Sequence, residues 1–294
     1  MTSSPLDEGL LGAGAPMFAA RYAKDGTRVA RALATHTYAA LSFYTEGSLR
    51  FEQRGRWMLE AGDVLLVPAG EPHRFLEARR AEFWSVGFCV PCFAAGEAVG
   101  FVEPFERVRE GASVVVRIPS ARHAFLEGLF RELSETSAPS RRGETPAVQR
   151  SLLTLVLNEV RRAARWDVEG SVRANGAAGT VGAMGTKGVV AESLTFIERN
   201  CLRPLTLKDV AKAVCRSPAY VTTALTRATG RSAVEWIIAG RMAEARRLLL
   251  HSDERVDGIA ERVGYVDPTH FIRMFRRAHG TTPSAWRAAK SLER

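Results

Sequence analysis

Fifty residues apart in its last third, the chain repeats one punctuation. Ser217-Pro218 opens a stretch that stops at Gly230, and Asp267-Pro268 opens another that stops at Gly280. A serine or aspartate before the first helical residue accepts backbone N–H groups that the first turn leaves free. Proline in the first helical position loses no hydrogen bond, and glycine takes the left-handed conformation that ends a helix. Ahead of each stretch lies a shorter apolar-periodic one and a turn. In "TLKDVAKAV" Thr206 and Asp209 are spaced as a capping box, with a turn at Cys215-Arg216; in "VDGIAERVG" the turn falls at Gly264. Helix, short turn and capped helix, written twice, predict two helix-turn-helix units over about 205–230 and 255–280.

Helical spacing divides each second helix into two faces. Phe271, Met274 and Phe275 fall on one side; Thr269, His270, Arg273, Arg276 and Arg277 fall on the other. In the first copy Val221 and Leu225 point inward, while Ala219, Thr222, Thr223 and Arg227 point outward. A helix with a dry side and a polar, basic side fits the DNA major groove, its N-terminal half reaching base edges. Arginine bonds guanine with two N–H groups, and alanine or threonine methyls meet the methyl of thymine. Ser217, Arg227, Arg276 and Arg277 suit phosphate contacts, which set register without reading sequence. Between the units, "SAVEWIIAGRMAEARRLLLHS" carries an apolar stripe of Trp236, Ile237, Met242, Ala245, Leu248 and Leu249, which predicts one connecting helix.

Charge supports a polyanion partner. From Lys187 to Arg294 there are 19 Lys and Arg against 11 Asp and Glu, whereas the preceding residues hold 22 against 21. Nearly all of the formal charge of +9 therefore sits in the last third, as a nucleic-acid-binding domain joined to a neutral one would have it.

Upstream the pattern changes. Apolar and polar residues alternate in "LSFYTEGSLRFEQRGRWML", with turn signals at Glu46-Gly47 and Arg54-Gly55; "GDVLLVPAG", "EFWSVGFCV" and "SVVVRIP" continue as short strands. Two amphipathic helices follow. One opens at Ser120 and aligns Phe125, Leu129 and Leu133; the other aligns Val148, Leu152, Leu155 and Val156. Their apolar sides cover the sheet or meet a second subunit. Residues 168–189 are glycine-rich and read as a linker that leaves the domains loosely tethered. The expected organisation is α+β with two domains: residues 1–20 disordered, 21–167 a strand-rich sensing and dimerisation domain, the linker, and 190–294 an all-α DNA-binding domain. The N-terminus has no basic segment ahead of its leucines, and no apolar run reaches about 18 residues, so neither a secretory signal nor a membrane span is expected. A cytoplasmic protein is the default.

Residues from about 190 to 290 resemble the DNA-binding domain of the AraC/XylS family of bacterial transcription regulators. The matching residues are Ala211, Ser217, Leu225 and Gly230, the joining "RMAEARRLLL", and "IAERVGYVDPTHFIRMFRRAHGTTPSAWR" nearly throughout. That resemblance implies double-stranded DNA as partner, with base-reading positions at Ala219, Thr222 and Thr223 in the first unit and Pro268, Thr269, His270 and Arg273 in the second. It also implies a homodimer, a small-molecule effector, an interaction with RNA polymerase, and a nucleoid-associated location in a bacterial cytoplasm. Two positions depart from the family pattern: Cys215 stands where the first turn usually has glycine, and Leu225-Thr226 replaces an aromatic-basic pair.

"GDVLLVPAGEPH", Gly62 to His73, resembles the second motif of cupins and implies a cupin-like β-barrel with helices C-terminal to it. Metal cupins converge about four ligands, and here only His36 and His73 fall near the motifs, so no metal or other cofactor is expected. His36 and His73 read as structural, or as contacts to an organic effector inside the barrel. Cys89 and Cys92 form a C-x-x-C pair, read as two apolar strand-end cysteines or as a redox switch. The leading expectation is a non-enzymatic, effector-responsive DNA-binding regulator. A metal-dependent cupin enzyme with a DNA-binding appendage, and a thiol redox sensor, are the alternatives.

Overall fold

The computed structural model describes residues 17–26, 33–94, 100–137, 146–171 and 186–292. Its N-terminal domain is a six-stranded antiparallel sheet of β1 (Met17–Gly26), β2 (Ala39–Glu52), β3 (Arg56–Glu60), β4 (Asp63–Val67), β5 (Arg74–Phe88) and β6 (Val115–Arg117). The order is β1-β5-β2-β4-β6, with β3 paired to the second half of β2. Among the described residues, β1 and β6 are the two ends of that hydrogen-bonded path.

Glu46-Gly47 is not a turn. It lies inside β2, where the register against β5 shifts between Tyr44 and Glu46 and again between Glu46 and Ser48. Gly47 has φ 66, and a Cβ there would collide with the carbonyls of Arg79 and Arg80, so glycine serves as a bulge that bends a strand of 14 residues. Arg54-Gly55 is the expected turn, between β2 and β3.

The helices of this domain are α1 (Val90–Ala94), α2 (Glu103–Glu110), α3 (His123–Ser137) and α4 (Pro146–Ser171). Sequence periodicity missed the first two, which are short. The sheet takes Leu126, Leu129, Phe130 and Leu133 from α3, and Leu153, Val156, Leu157 and Val160 from α4. Phe125, Val148 and Leu155, read as part of apolar sides that cover the sheet or meet a second subunit, are 44%, 41% and 45% exposed and do not cover the sheet. Each helix carries more apolar positions than one sheet face can cover, and these three are the ones left outside.

The C-terminal domain is helical: α5 (Thr186–Asn200), α6 (Leu207–Ala213), α7 (Pro218–Thr229), α8 (Ala233–His251), α9 (Val256–Arg262), α10 (Pro268–His279) and α11 (Pro283–Leu292). It has two cores. One gathers Val210, Val221, Leu225, Trp236 and Ile237, and the other gathers Met242, Leu248, Leu249, Ile259, Phe271 and Phe275. α8 contributes to both through the stripe read from the sequence. Its 19 residues span about 28 Å at the rise of an α-helix.

Three boundaries move. Met17–Ala20 belong to β1 rather than to a disordered tail, because they pair with β5 from Phe88 to Ser85. Of the expected linker 168–189, α4 takes in the first residues to Ser171 and α5 begins at Thr186; residues 172–185 lie outside those described. The domains are also packed together. Ala69, from the loop after β4, is part of the first core of the C-terminal domain.

Candidate nucleic-acid interface and the seam behind it

Both helix-turn-helix units are built by short-range hydrogen bonds. Thr206 and Asp209 form the capping box: Asp209 N–H donates to Thr206 Oγ1, and Thr206 N–H donates to Asp209 Oδ2 at 2.8 Å. Hydrogen bonding by the Thr206 hydroxyl holds the Asp209 carboxyl below the usual carboxylate range. Ser217 accepts from Tyr220 N–H at the start of α7. Asp267 accepts from Thr269 N–H at 2.8 Å and His270 N–H at 3.2 Å at the start of α10. The first of these bonds is the chief cause that holds the Asp267 carboxyl below the usual carboxylate range. Gly230 and Gly280 end the two helices at φ 75 and φ 74.

The turns differ chemically. Gly264 has φ 84, and a Cβ there would lie 2.7 Å from the carbonyl oxygen of Arg203, so only glycine fits. Cys215, at the matching place in the first unit, adopts φ 52 with a side chain in place. The departure from the family pattern thus leaves the turn intact and puts its cost into a strained backbone.

The two faces separate as expected. Val221, Leu225, Phe271 and Phe275 are fully buried and Met274 is half-buried. Ala219, Thr223, Pro268, Thr269, His270 and Arg273 are exposed, and Thr222 is half-exposed. Ser217, Arg227, Arg276 and Arg277 are exposed as well. His270 meets the edge of Tyr265 with ring centroids 5.4 Å apart, which positions it at the end of the helix.

Two residues of these faces went unread in the sequence. Tyr220 is 39% exposed and occupies the place in α7 that His270 occupies in α10; Ile272, 37% exposed, matches Thr222. Laying the two copies over each other at their fifty-residue offset finds both.

Arg241 is a third. It lies in the middle of α8, donates to the carbonyls of Cys201 at 2.7 Å and Arg203 at 2.8 Å, and places its guanidinium 4.9 Å from the Tyr265 ring centre. It thereby ties the connecting helix to the segment before the first unit and to the turn of the second. Its position beside an apolar stripe was its only signal.

Behind the reading helices, the C-terminal domain rests on the N-terminal one. Arg109 of α2 donates to both carboxylate oxygens of Glu198 in α5, at 2.6 and 2.8 Å, and to the carbonyl of Ala69 at 2.8 Å. Burial opposes the charge of Arg109, but the Glu198 carboxylate outweighs it and the guanidinium is held above its usual range. Arg199 makes a second two-pronged pair with Glu106 at the rim. Gly70, the glycine of the cupin-like motif, has φ 79, and a Cβ on it would press at 3.0 Å on Leu194 and Trp236. The motif's loop is therefore a docking surface for the helical domain.

His36 and His73 are brought together, with rings 4.9 Å apart and both side chains buried. His73 Nδ1 bonds the carbonyl of Glu71, and His36 Nδ1 that of Tyr38, on whose ring His36 stacks at 4.1 Å. Burial, with His73 adding to it, pushes His36 down to about 3, so it is neutral at ordinary pH. Among the described residues, His36 Nε2 is buried without a partner. Among the described residues, no three His, Cys, Asp or Glu side chains converge as a metal site. Cys89 and Cys92, which the sequence left as free apolar thiols or a switch, are joined as a disulfide: the first turn of α1 brings their Cα atoms to 5.3 Å.

An antiparallel sheet domain docked on a double helix-turn-helix domain with two exposed polar helices defines a two-domain DNA-binding protein. The AraC-like ligand binding domain matches residues 19–155 and a helix-turn-helix domain matches residues 210–289, so the chain carries the two domains of an AraC-type transcription regulator. It is 33% identical to the regulatory protein PocR of Salmonella typhimurium over 96 residues, 33% of this chain and 32% of that one. It is 25% identical to the transcriptional activator NphR of a Rhodococcus species over 252 residues, 83% of this chain and 68% of that one. Among solved structures, the C-terminal domain of AraT, a response regulator from Geobacillus stearothermophilus, is 30% identical with a TM-score of 0.34, covering 34% of this chain and 84% of that one. The match spans about a third of the length of the first curated relatives. No described helix is long and apolar enough to cross a membrane.

Proposed function

We propose that the chain is a sequence-specific transcription regulator of double-stranded DNA that acts by binding rather than catalysis. The observation that carries this reading is the pair of capped helices, α7 and α10, each dry on one side and exposed on the other. α7 reads bases through Ala219, Thr222 and Thr223; α10 reads through Pro268, Thr269, His270 and Arg273. Ser217, Arg227, Arg276 and Arg277 hold phosphates. The first unit offers small side chains, so its discrimination comes from thymine methyls and DNA shape. The two helices enter successive major grooves, about 34 Å apart on B-DNA.

The N-terminal domain binds a small-molecule effector and pairs two copies, the exposed Phe125, Val148 and Leu155 supporting a face between subunits. The effector shifts the population between two presentations of the DNA-binding domain, which requires different affinity for each. Within the sheet domain, the Nε2 of His36, unpartnered among the described residues, supports a contact there, with His73 behind it. The regulator works in the cytoplasm on the nucleoid and meets RNA polymerase there.

Selection of binding sites from randomised duplexes by the full chain tests the reading. A recovered consensus with two half-elements one helical turn apart is expected, with affinity falling steeply as salt rises. Recovery of unselected sequence, or an affinity indifferent to salt, refutes it.

The disulfide favours a second reading, a thiol-responsive regulator. Cys89 precedes α1 and lines the crevice between the domains, and Cys92 lies in the first turn of that helix. Operator affinity that changes on reduction, and no longer does so in Cys89→Ser/Cys92→Ser, would support it.

A further inference from the structure

Cys89 and Cys92 share the lining of a cavity of about 260 Å³ with Met17, a third sulfur-bearing side chain. The fold sets all three there. Met17 opens β1 opposite Phe88, the residue before Cys89, and the first turn of α1 brings the Cα atoms of the two cysteines to 5.3 Å. All three residues are buried, and Phe88, Phe93 and Leu153 give much of the remaining wall an apolar surface. Among the described residues, no His, Asp or Glu joins the two cysteines to make three such ligands.

That donor set selects an ion. Structural zinc takes four ligands, and harder ions take nitrogen and oxygen donors. Two thiolates with a thioether suit a soft monovalent ion, Cu(I). Such a centre carries one net negative charge, and its surroundings answer that charge. Cys92 N–H donates to Cys89 Sγ at 3.4 Å. Arg150, which donates to the carbonyl of Phe93 at 2.6 Å, brings a positive charge to the same lining.

We propose that the reduced Cys89 and Cys92 thiols, with the Met17 thioether, bind Cu(I). This rests on the thiol-responsive reading and names the ligand of the reduced pair. A dithiol reductant opens the disulfide: its thiolate attacks one cysteine sulfur, the other leaves, and its second thiol displaces the first cysteine. Two electrons and two protons thus pass to the cysteines, and the reductant becomes the disulfide. Cys89 also lines the crevice between the domains, which gives the attacking thiolate a path. Cu(I) then displaces the two thiol protons with no change in its oxidation state. The segment that carries the pair touches the connecting helix, since a Cβ on Gly240 of α8 would lie 3.4 Å from Pro91, between the two cysteines. Ion binding therefore acts on the helix that joins both reading units.

The test uses the full chain in a Cys215→Ser background, which lacks the exposed thiol. The protein is reduced with a dithiol that is then removed without air. Cu(I) is titrated against bathocuproine disulfonate, X-ray absorption counts its ligands, and operator affinity is measured before reduction, after reduction and after loading. One Cu(I) per chain with three sulfur ligands is expected, with no displacement by Zn(II). Cys89→Ser/Cys92→Ser is expected to abolish binding. Met17→Leu is expected to weaken it and to leave two sulfur ligands; it retains both cysteines, so its result stands whether or not the serine pair folds. No Cu(I) held against the chelator, displacement by Zn(II), binding that survives the serine pair, or three sulfur ligands in Met17→Leu each overturns the site. Operator affinity that responds to reduction in a chain that binds no Cu(I) overturns the inference and leaves the thiol-responsive reading standing. Cu(I) bound through the three sulfurs, with operator affinity indifferent to reduction and to loading, would support the site and defeat that reading.

Discussion

Arg109 and Glu198, 89 positions apart, close a two-pronged ion pair between the sheet domain and the helical domain, with the arginine side chain 1% exposed. A charge that deep is tolerable only while its partner is present. The pair thus makes the mutual placement of the domains part of the fold, where a glycine-rich connection had suggested free movement.

Glu198→Gln leaves Arg109 buried without its counter-charge. Breaking a buried pair costs about 3–5 kcal/mol. The full chain is expected to melt earlier and to be cut faster by protease between its domains. Arg109→Met combined with Glu198→Leu should recover much of the loss, since an apolar pair needs no desolvation of charge. An equal loss in the single and double variants would show that the ion pair is not what holds the seam.

Arg273 and Arg276 lie one turn apart on α10, and both are exposed. Arg273→Ala is expected to weaken the selected site by about 1–3 kcal/mol and to relax one base position. Arg276→Ala should weaken all duplexes alike and reduce the salt slope by about one. Binding measured on single-base variants of the site at several salt concentrations separates the two. Interchanged outcomes would reassign the roles.

The two turns provide a matched pair. Cys215→Gly removes a Cβ from a backbone at φ 52 and is expected to stabilise the helical domain by about 1 kcal/mol. Gly264→Ala brings a Cβ to 2.7 Å from a carbonyl and should destabilise it by more than that. Urea midpoints of the two variants check the signs, and a destabilising Cys215→Gly would mean that the thiol makes a contact worth more than the strain.

Gly70→Ala tests whether the motif's loop is a docking surface. The new methyl presses on Leu194 and Trp236 and also opposes φ 79. Trp236 fluorescence is expected to shift as the seam opens, with the sheet domain's own melting changed less. A change confined to the sheet domain would place the effect of the glycine in the loop alone.

Where bonds join residues within a few positions of each other, sequence was a sufficient guide. Ser217, Asp267 and Thr206 cap the helices they were expected to cap, Gly230 and Gly280 end them, and the stripe from Trp236 to Leu249 is buried in the order its spacing implied. These features depend on hydrogen bonds to the next turn and on a period of 3.6, and both are written locally. The division of α7 and α10 into a core side and an exposed side followed from the same period.

Features spanning the chain were not legible in that way. Gly47 reads as a turn until a strand some thirty residues later supplies the carbonyls it must avoid. Phe125 and Leu155 look as buried as their neighbours until the sheet chooses which positions to cover. Arg109 and Gly70 carry no sequence mark of the seam, because each acquires its role from a surface on another domain. Local pattern sets the elements and their caps; which side chains lose water together depends on how the elements meet, and that is a property of the packed chain.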